Sequence, residues 1–206
     1  MLKPHELTTP QGIASWININ DSKPDKGPDG SYSPTYKVDL IVSKDALDAS
    51  GFLQEAEQYH AAVSKDLGSD IRPLPIKEEL DESGNPTGNL ILKCKKKYFP
   101  ERKDDNGKVI KNETRVKMIG ADNHPWSPIG LIGKGTKMQV ALKLNPYNMG
   151  GNKGITFFIE EVRIIDVVYY GEGKSNRFGD AVEGNTTDAE PKQEEQPEVS
   201  STFSDF

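Results

Sequence analysis

Hydrophobic positions along the chain recur mostly at a spacing of two. Over residues 89–99, Leu90, Leu92 and Cys94 point one way, while Ile91, Lys93, Lys95, Lys97 and Phe99 point the other. Bulky residues at that period predict a β-strand with one core face and one face that carries three ammonium groups and ends in an aromatic ring. Tyr36, Val38, Leu40 and Val42 share a face of a second strand, and Met138, Val140, Leu142 and Leu144 a face of a third, with Lys137, Gln139 and Lys143 outward. Residues 11–20 predict a further strand with Ile13, Ser15, Ile17 and Ile19 on the apolar side and Trp16 opposite. Residues 155–170 predict a long final strand whose alternation slips near Glu160-Glu161, the mark of a bulge.

The period changes once. Phe52, Ala56, Tyr59 or His60, Val63 and Leu67 fall on one side of a helix covering roughly 51–67. Ser50 or Asp48 is the expected cap and Gly68 the expected stop. Residues 21–34, 69–88 and 120–136 are rich in Gly, Pro, Asp or Ser and read as loops. Asn106-Gly107 between two strand-like runs predicts a hairpin. That hairpin would join the end of the 89–99 strand to one near 108–119 and gather the bases of 93–117 on one two-stranded ribbon. About six strands and one inserted helix, with long irregular loops, suit a small mainly β antiparallel barrel of the oligonucleotide-binding (OB) kind. A β-sandwich is the alternative.

Charge sharpens this picture because it is uneven. The 206 residues sum to −6. Residues 180–206 hold eight acids and one base, a net of −7. Residues 93–117 hold ten bases and four acids, a net of +6. Mean hydropathy is −0.67, low for a chain that folds throughout. From Gly171 onward Gly, Ser, Asn, Gln, Glu and Pro dominate, so this segment cannot bury enough apolar surface to offset its ordering entropy. The expected organisation is therefore a barrel domain over 1–178 and a disordered acidic tail over 179–206. The tail closes on Phe203-Ser204-Asp205-Phe206, which has the make-up of a docking peptide, an aromatic anchor with carboxylates for a basic pocket.

Catalysis finds no carrier. His5, His60 and His124 lie far apart, no Cys/His cluster has zinc spacing, and no cofactor motif is present. Gly130–Thr136 resembles a phosphate loop but fails its pattern, because Gly135 separates Lys134 from Thr136. The lone Cys94 sits on a core face and fits a reducing compartment. No apolar run approaches the ~18 residues of a membrane span, so a cytoplasmic protein with no membrane partner is expected. What remains is a set of cations interleaved with rings. Lysines can track phosphates while aromatic faces stack unpaired bases. The candidates are Lys93, Lys95, Lys97, Phe99, Arg102, Lys103, Lys111, Arg115, Lys117, Lys143, Tyr147 and Trp16.

Four stretches in order carry a family resemblance: Tyr36-Lys37-Val38-Asp39-Leu40; Leu92-Lys93-Cys94; Gly135-Thr136-Lys137-Met138 through Leu144-Asn145-Pro146-Tyr147 to the last strand; and the acidic tail ending Asp205-Phe206. In these the chain resembles the replicative single-stranded-DNA-binding proteins of podovirus-type bacteriophages. The resemblance implies an OB barrel with an inserted helix and sequence-independent DNA binding in phage replication, recombination and repair. It implies a base-stacking position at Tyr147; where the family carries a second aromatic close behind, Asn148-Met149 stand here. It also implies a tail that competes with DNA and contacts the replicative polymerase and helicase–primase through Phe203, Asp205 and Phe206, within the host bacterial cytoplasm. A homodimer is a candidate assembly. The competing readings are a protein-interaction adaptor that binds no nucleic acid, and a recombination or annealing factor.

Overall fold

The computed structural model describes residues 2–20, 35–68, 70–97, 101–111 and 115–170, with backbone alone for 101–103 and 109–111. The strands are β1 (His5–Thr8), β2 (Gly12–Asn18), β3 (Thr35–Ser43), β4 (Ile76–Leu80), β5 (Pro86–Lys97), β6 (Glu101–Lys103), β7 (Val109–Lys111), β8 (Lys117–Ile119), β9 (Lys137–Met149) and β10 (Asn152–Asp166). Two helices, α1 (Lys44–Ala49) and α2 (Phe52–Asp66), lie between β3 and β4.

Strands β2, β3, β5, β10 and β9 close into a ring, because β9 pairs with both β10 and β2. The contacts around the ring are antiparallel except for one seam, where β10 runs parallel to β5 with Phe157 opposite Cys94 and Phe158 opposite Lys95. The alternation is realised residue by residue. Tyr36, Val38, Leu40, Val42, Leu92, Cys94, Met138, Val140, Leu142 and Leu144 are all buried. Phe157 is fully buried and meets Phe52 of α2 edge-on, ring centroids 6.1 Å apart. It therefore ties the barrel wall to the helix that covers the core with Phe52, Ala56 and Val63. Phe157→Ala is expected to cost about 3–5 kcal/mol, read as a lower denaturant midpoint.

Several expectations change in detail. Residues 69–88 are not one loop. Ile76–Leu80 pairs with β5, and Asp81 closes the turn by accepting from the backbone N–H groups of Ser83 and Asn85. A second helix, α1, precedes the expected one, capped by the Ser43 hydroxyl, and the residue before α2 is Gly51 at φ 76°. In β2 the register moves from Ala14–Leu40 to Trp16–Asp39, so Ser15 is an extra, bulged residue. The bulge turns Ile13 outward while Ile17 and Ile19 stay with the core. The slip foreseen at Glu160 is present, between Ile159–Leu142 and Glu161–Ala141.

The Asn106-Gly107 hairpin forms, but as a separate two-stranded sheet of β6 and β7. The single basic ribbon is therefore corrected. Lys93 and Lys95 sit within the barrel wall on β5, between β3 on one flank and β4 and β10 on the other, and Lys117 belongs to β8 beside β10. Among the described residues no helix is long and apolar enough to cross a membrane.

Candidate nucleic-acid interface

Strand β5 builds the site. Alternation sends Lys93, Lys95 and Lys97 outward along one line while Leu92 and Cys94 go inward. At ~3.3 Å per residue the three ammonium-bearing positions span about 13 Å. Lys96 has the opposite parity. It is half-buried, its Nζ reaches the Glu160 carbonyl at 3.5 Å, and burial lowers its pKa, a fall that Glu160 opposes and Lys117 reinforces. It shares the parity of Leu92 and Cys94 and not that of this face. Cys94 is buried, and desolvation, with the Asp39 carboxylate adding to it, pushes its thiol well above the ordinary range. A thiol held protonated is a poor nucleophile, so Cys94 is packing.

Register extends the basic line sideways. Asn18, Lys37, Lys95, Phe158, Lys143 and Glu6 are successive Cα partners across β2, β3, β5, β10, β9 and β1. Adjacent strands lie ~4.8 Å apart, so Lys37 and Lys95 are neighbours and Phe158 lies between Lys95 and Lys143. One step along, Trp16, Asp39 and Lys93 form a parallel row. Trp16 is 56% exposed on this outer surface. Beyond the end of β5, β8 takes its place beside β10, with Lys117 opposite Glu161.

The cations are not equally available. Lys93 has Asp39 at 3.8 Å, an exposed pair whose attraction is weak. Lys143 sits between Glu6 at 3.5 Å and Glu160 at 3.7 Å, so its charge is locally compensated. No carboxylate pairs with Lys37 or Lys95 among the described residues.

Tyr147 is half-buried on the same outer face. Its ring lies over Gly154, its partner across the β9–β10 hairpin, and a Cβ at that position would fall 2.7 Å from Oη. Glycine here leaves a flat seat for the ring. The hairpin turns on Gly150 (φ 55°) and Gly151 (φ 81°), the left-handed pair that two-residue turns require. Tyr147 then lines a cleft of about 300 Å³ with Arg72, Pro73, Pro75, Lys93 and Lys95.

The structure thus brings Lys93, Lys95 and Tyr147 together at one cleft, with Lys97 further along the β5 line, Trp16 two strands from Lys93 and Lys117 along the flank of β10. Arg115 lies apart, lining a larger cleft of about 560 Å³ with Tyr36, Met118 and Trp126. Phe99, the side chains of Arg102, Lys103 and Lys111, and the tail positions Phe203, Asp205 and Phe206 lie outside the described residues. Lys37, Arg72 and Phe158 are additions. Lys37 stands between two core positions of β3, so alternation alone marks it as outward. Arg72 sits in an irregular segment and had no such signal.

A closed five-stranded ring in the order β2-β3-β5-β10-β9, basic on the outer surface of its second and third strands, is the architecture of the OB fold. No protein-family model matches the chain. Over 193 residues it is 25% identical to the single-stranded DNA-binding protein of Enterobacteria phage T3, covering 84% of this chain and 81% of that one. Among solved structures it is similar to gp2.5, a single-stranded DNA binding protein encoded by bacteriophage T7. That likeness has a TM-score of 0.61 at 19% identity and covers 87% of this chain and 100% of the other. It is also similar to the single-stranded DNA-binding protein of bacteriophage Enc34, solved in complex with single-stranded DNA. There the TM-score is 0.55 at 16% identity, over 78% of this chain and 86% of the other. The relatives are of the class that the sequence stretches resemble, and the structural likenesses are likenesses of fold.

Proposed function

We propose that this chain binds single-stranded DNA without regard to sequence and serves the DNA metabolism of a bacteriophage inside the host bacterial cytoplasm. It acts as a binding protein and not as a catalyst. The observation that carries this reading is the outer face of β3 and β5, where Lys93 and Lys95 share a cleft with the Tyr147 ring and Lys37 and Lys97 extend the basic row away from it. Lysines there neutralise phosphates, and the ring stacks bases of any identity. Direct contacts to base edges are not needed for such binding, which fits a face with few amide side chains.

Division of labour between residues 1–178 and 179–206 is part of the same proposal. With no DNA bound, the tail, net −7 over 180–206, competes for the basic face as a polyanion. DNA displaces it and frees Phe203, Asp205 and Phe206 to recruit the replicative polymerase and the helicase–primase in replication, recombination and repair. Deleting 180–206 is expected to tighten binding roughly tenfold at low ionic strength, with the gain shrinking as salt screens the tail. Fluorescence anisotropy with labelled oligo(dT) measures this. An unchanged affinity would remove self-competition from the scheme.

Retention of the full chain on single-stranded-DNA cellulose separates this reading from an adaptor that binds no nucleic acid. A nuclease assay with magnesium separates it from a recombination enzyme. Annealing of complementary strands without nucleotide is compatible with it.

A further inference from the structure

The sheet forks beside β5. One flank of β5 is taken by β3 from Asn89 to Lys97. The other is shared: β4 pairs with residues 86–92, and β10 pairs only at Cys94 and Lys95. Between those two partners the wall opens, and the segment leading into β4 crosses the gap. The Arg72 N–H donates to the Lys153 carbonyl at 2.9 Å, which holds the segment to β10. The Lys93 N–H donates to the Pro75 carbonyl at 2.9 Å, which holds it to β5. Pro73 and Pro75 have no N–H to offer, so the segment cannot zip onto β10 and close the gap. What stays open is the cleft of about 300 Å³ whose lining includes Tyr147 and the two prolines. That volume is at the small end of ligand sites, about 300–1,000 Å³.

Arg72 is exposed and lines this cleft. Its Nη2 donates to Asn152 Oδ1 at 2.6 Å, and its carbonyl lies 2.9 Å from His60 Nε2. Asn152 is the first residue of β10, straight after the Gly150-Gly151 turn. Among the described residues the guanidinium is therefore held by the hairpin with most of its five donors unused and with no carboxylate paired to it. A planar fork aimed by a neutral amide suits a phosphate oxygen pair better than a mobile ammonium does.

We propose that the fork is a one-nucleotide slot: a base lies between the Tyr147 ring and the Pro73–Pro75 segment, and Arg72, positioned by Asn152, grips that nucleotide's phosphate. The slot deepens the proposed function and rests on it. It fixes where along the basic face one nucleotide is registered, whereas Lys37, Lys93, Lys95 and Lys97 supply unregistered attraction.

Two double-mutant cycles on the full chain test the slot, with oligo(dT) affinity and its salt dependence as readouts. Arg72→Gln is expected to weaken binding about tenfold and to lower the slope of log affinity against log salt by about 0.7, one phosphate contact. Asn152→Ala is expected to weaken binding a few-fold, and R72Q/N152A to be no weaker than R72Q alone. R72Q and Y147A, acting on one nucleotide, are expected to be less than additive. Arg72→Lys, which keeps the charge and loses the fork, is expected to restore the slope but only part of the affinity. Arg72 is exposed, so these variants keep the fold, and an unchanged thermal midpoint checks it. Wild-type binding with R72Q unaffected, or strictly additive cycles, overturns the slot and leaves the proposed function standing. No binding by the wild-type chain overturns both.

Discussion

Changing Lys93, Lys95 and Lys97 together to alanine is expected to lower affinity for oligo(dT) about 100-fold near 0.1 M salt and to reduce the salt slope by about 2, three single-strand phosphate contacts at ~0.7 each. The size follows from placement. All three lie on one outward line of a strand whose inward residues, Leu92 and Cys94, are locked in the core. The backbone that carries the line is therefore fixed, and the ordering entropy that opposes contact with a polyanion is that of the lysine side chains alone. Lys95 has no carboxylate partner among the described residues, and Lys93 has only the 3.8 Å approach of Asp39. The loss should be nearly equal for all sequences, since phosphates carry no base identity. The thermal midpoint should hold, because exposed lysines contribute little to stability. Lys143→Ala makes the comparison. Glu6 and Glu160 already compensate that charge, so its removal is expected to do much less. Isothermal titration at several salt concentrations reads both quantities at once.

Tyr147→Ala is expected to weaken binding by about 1–3 kcal/mol, the worth of one stacked base, while Tyr147→Phe stays within about twofold. The ring is the active part, not the hydroxyl. A second substitution separates stacking from packing. Gly154→Ala puts a Cβ 2.7 Å from Tyr147 Oη and 2.9 Å from Cζ, so the ring must leave its seat. Binding should fall toward the Tyr147→Ala level although the tyrosine is intact. Full affinity in Gly154→Ala would mean that ring position is irrelevant. These are equilibrium measurements, and the salt slope should be unchanged in both variants because neither removes a cation.

The parts of the fold that could be read from the chain are those where one residue decides one face. Tyr36–Val42 and Met138–Leu144 alternate cleanly because each strand buries one side only. The bulge at Glu160 was visible because two consecutive acids cannot both follow a core residue. The β2 bulge was hidden: Ser15 is small enough to fit an unbroken alternation, so Ile13 read as core although the extra residue turns it outward. The β4 strand was hidden by its company, since Pro73, Pro75 and Gly84 flank a run whose pairing is decided by β5 and not by its own pattern. The parallel seam between β5 and β10 has no local signal at all. For the site, the outward line of Lys93, Lys95 and Lys97 was legible because strand parity placed it, and Tyr147 was marked by the family resemblance. Arg72 was not, because its position follows from a crossing segment held at Lys153 and at Lys93.

The central claim is that an unpaired polynucleotide lies along the outer face of β3 and β5, between Tyr147 and Trp16. Titration of the full chain with oligo(dT), following tryptophan emission at several salt concentrations, tests it most directly. Trp16 is 56% exposed on that face, whereas Trp126 packs against the core. The account predicts saturable quenching that disappears in Trp16→Phe, with log affinity falling against log salt at a slope of about −2 or steeper. Emission that does not saturate, or binding indifferent to salt, would contradict it.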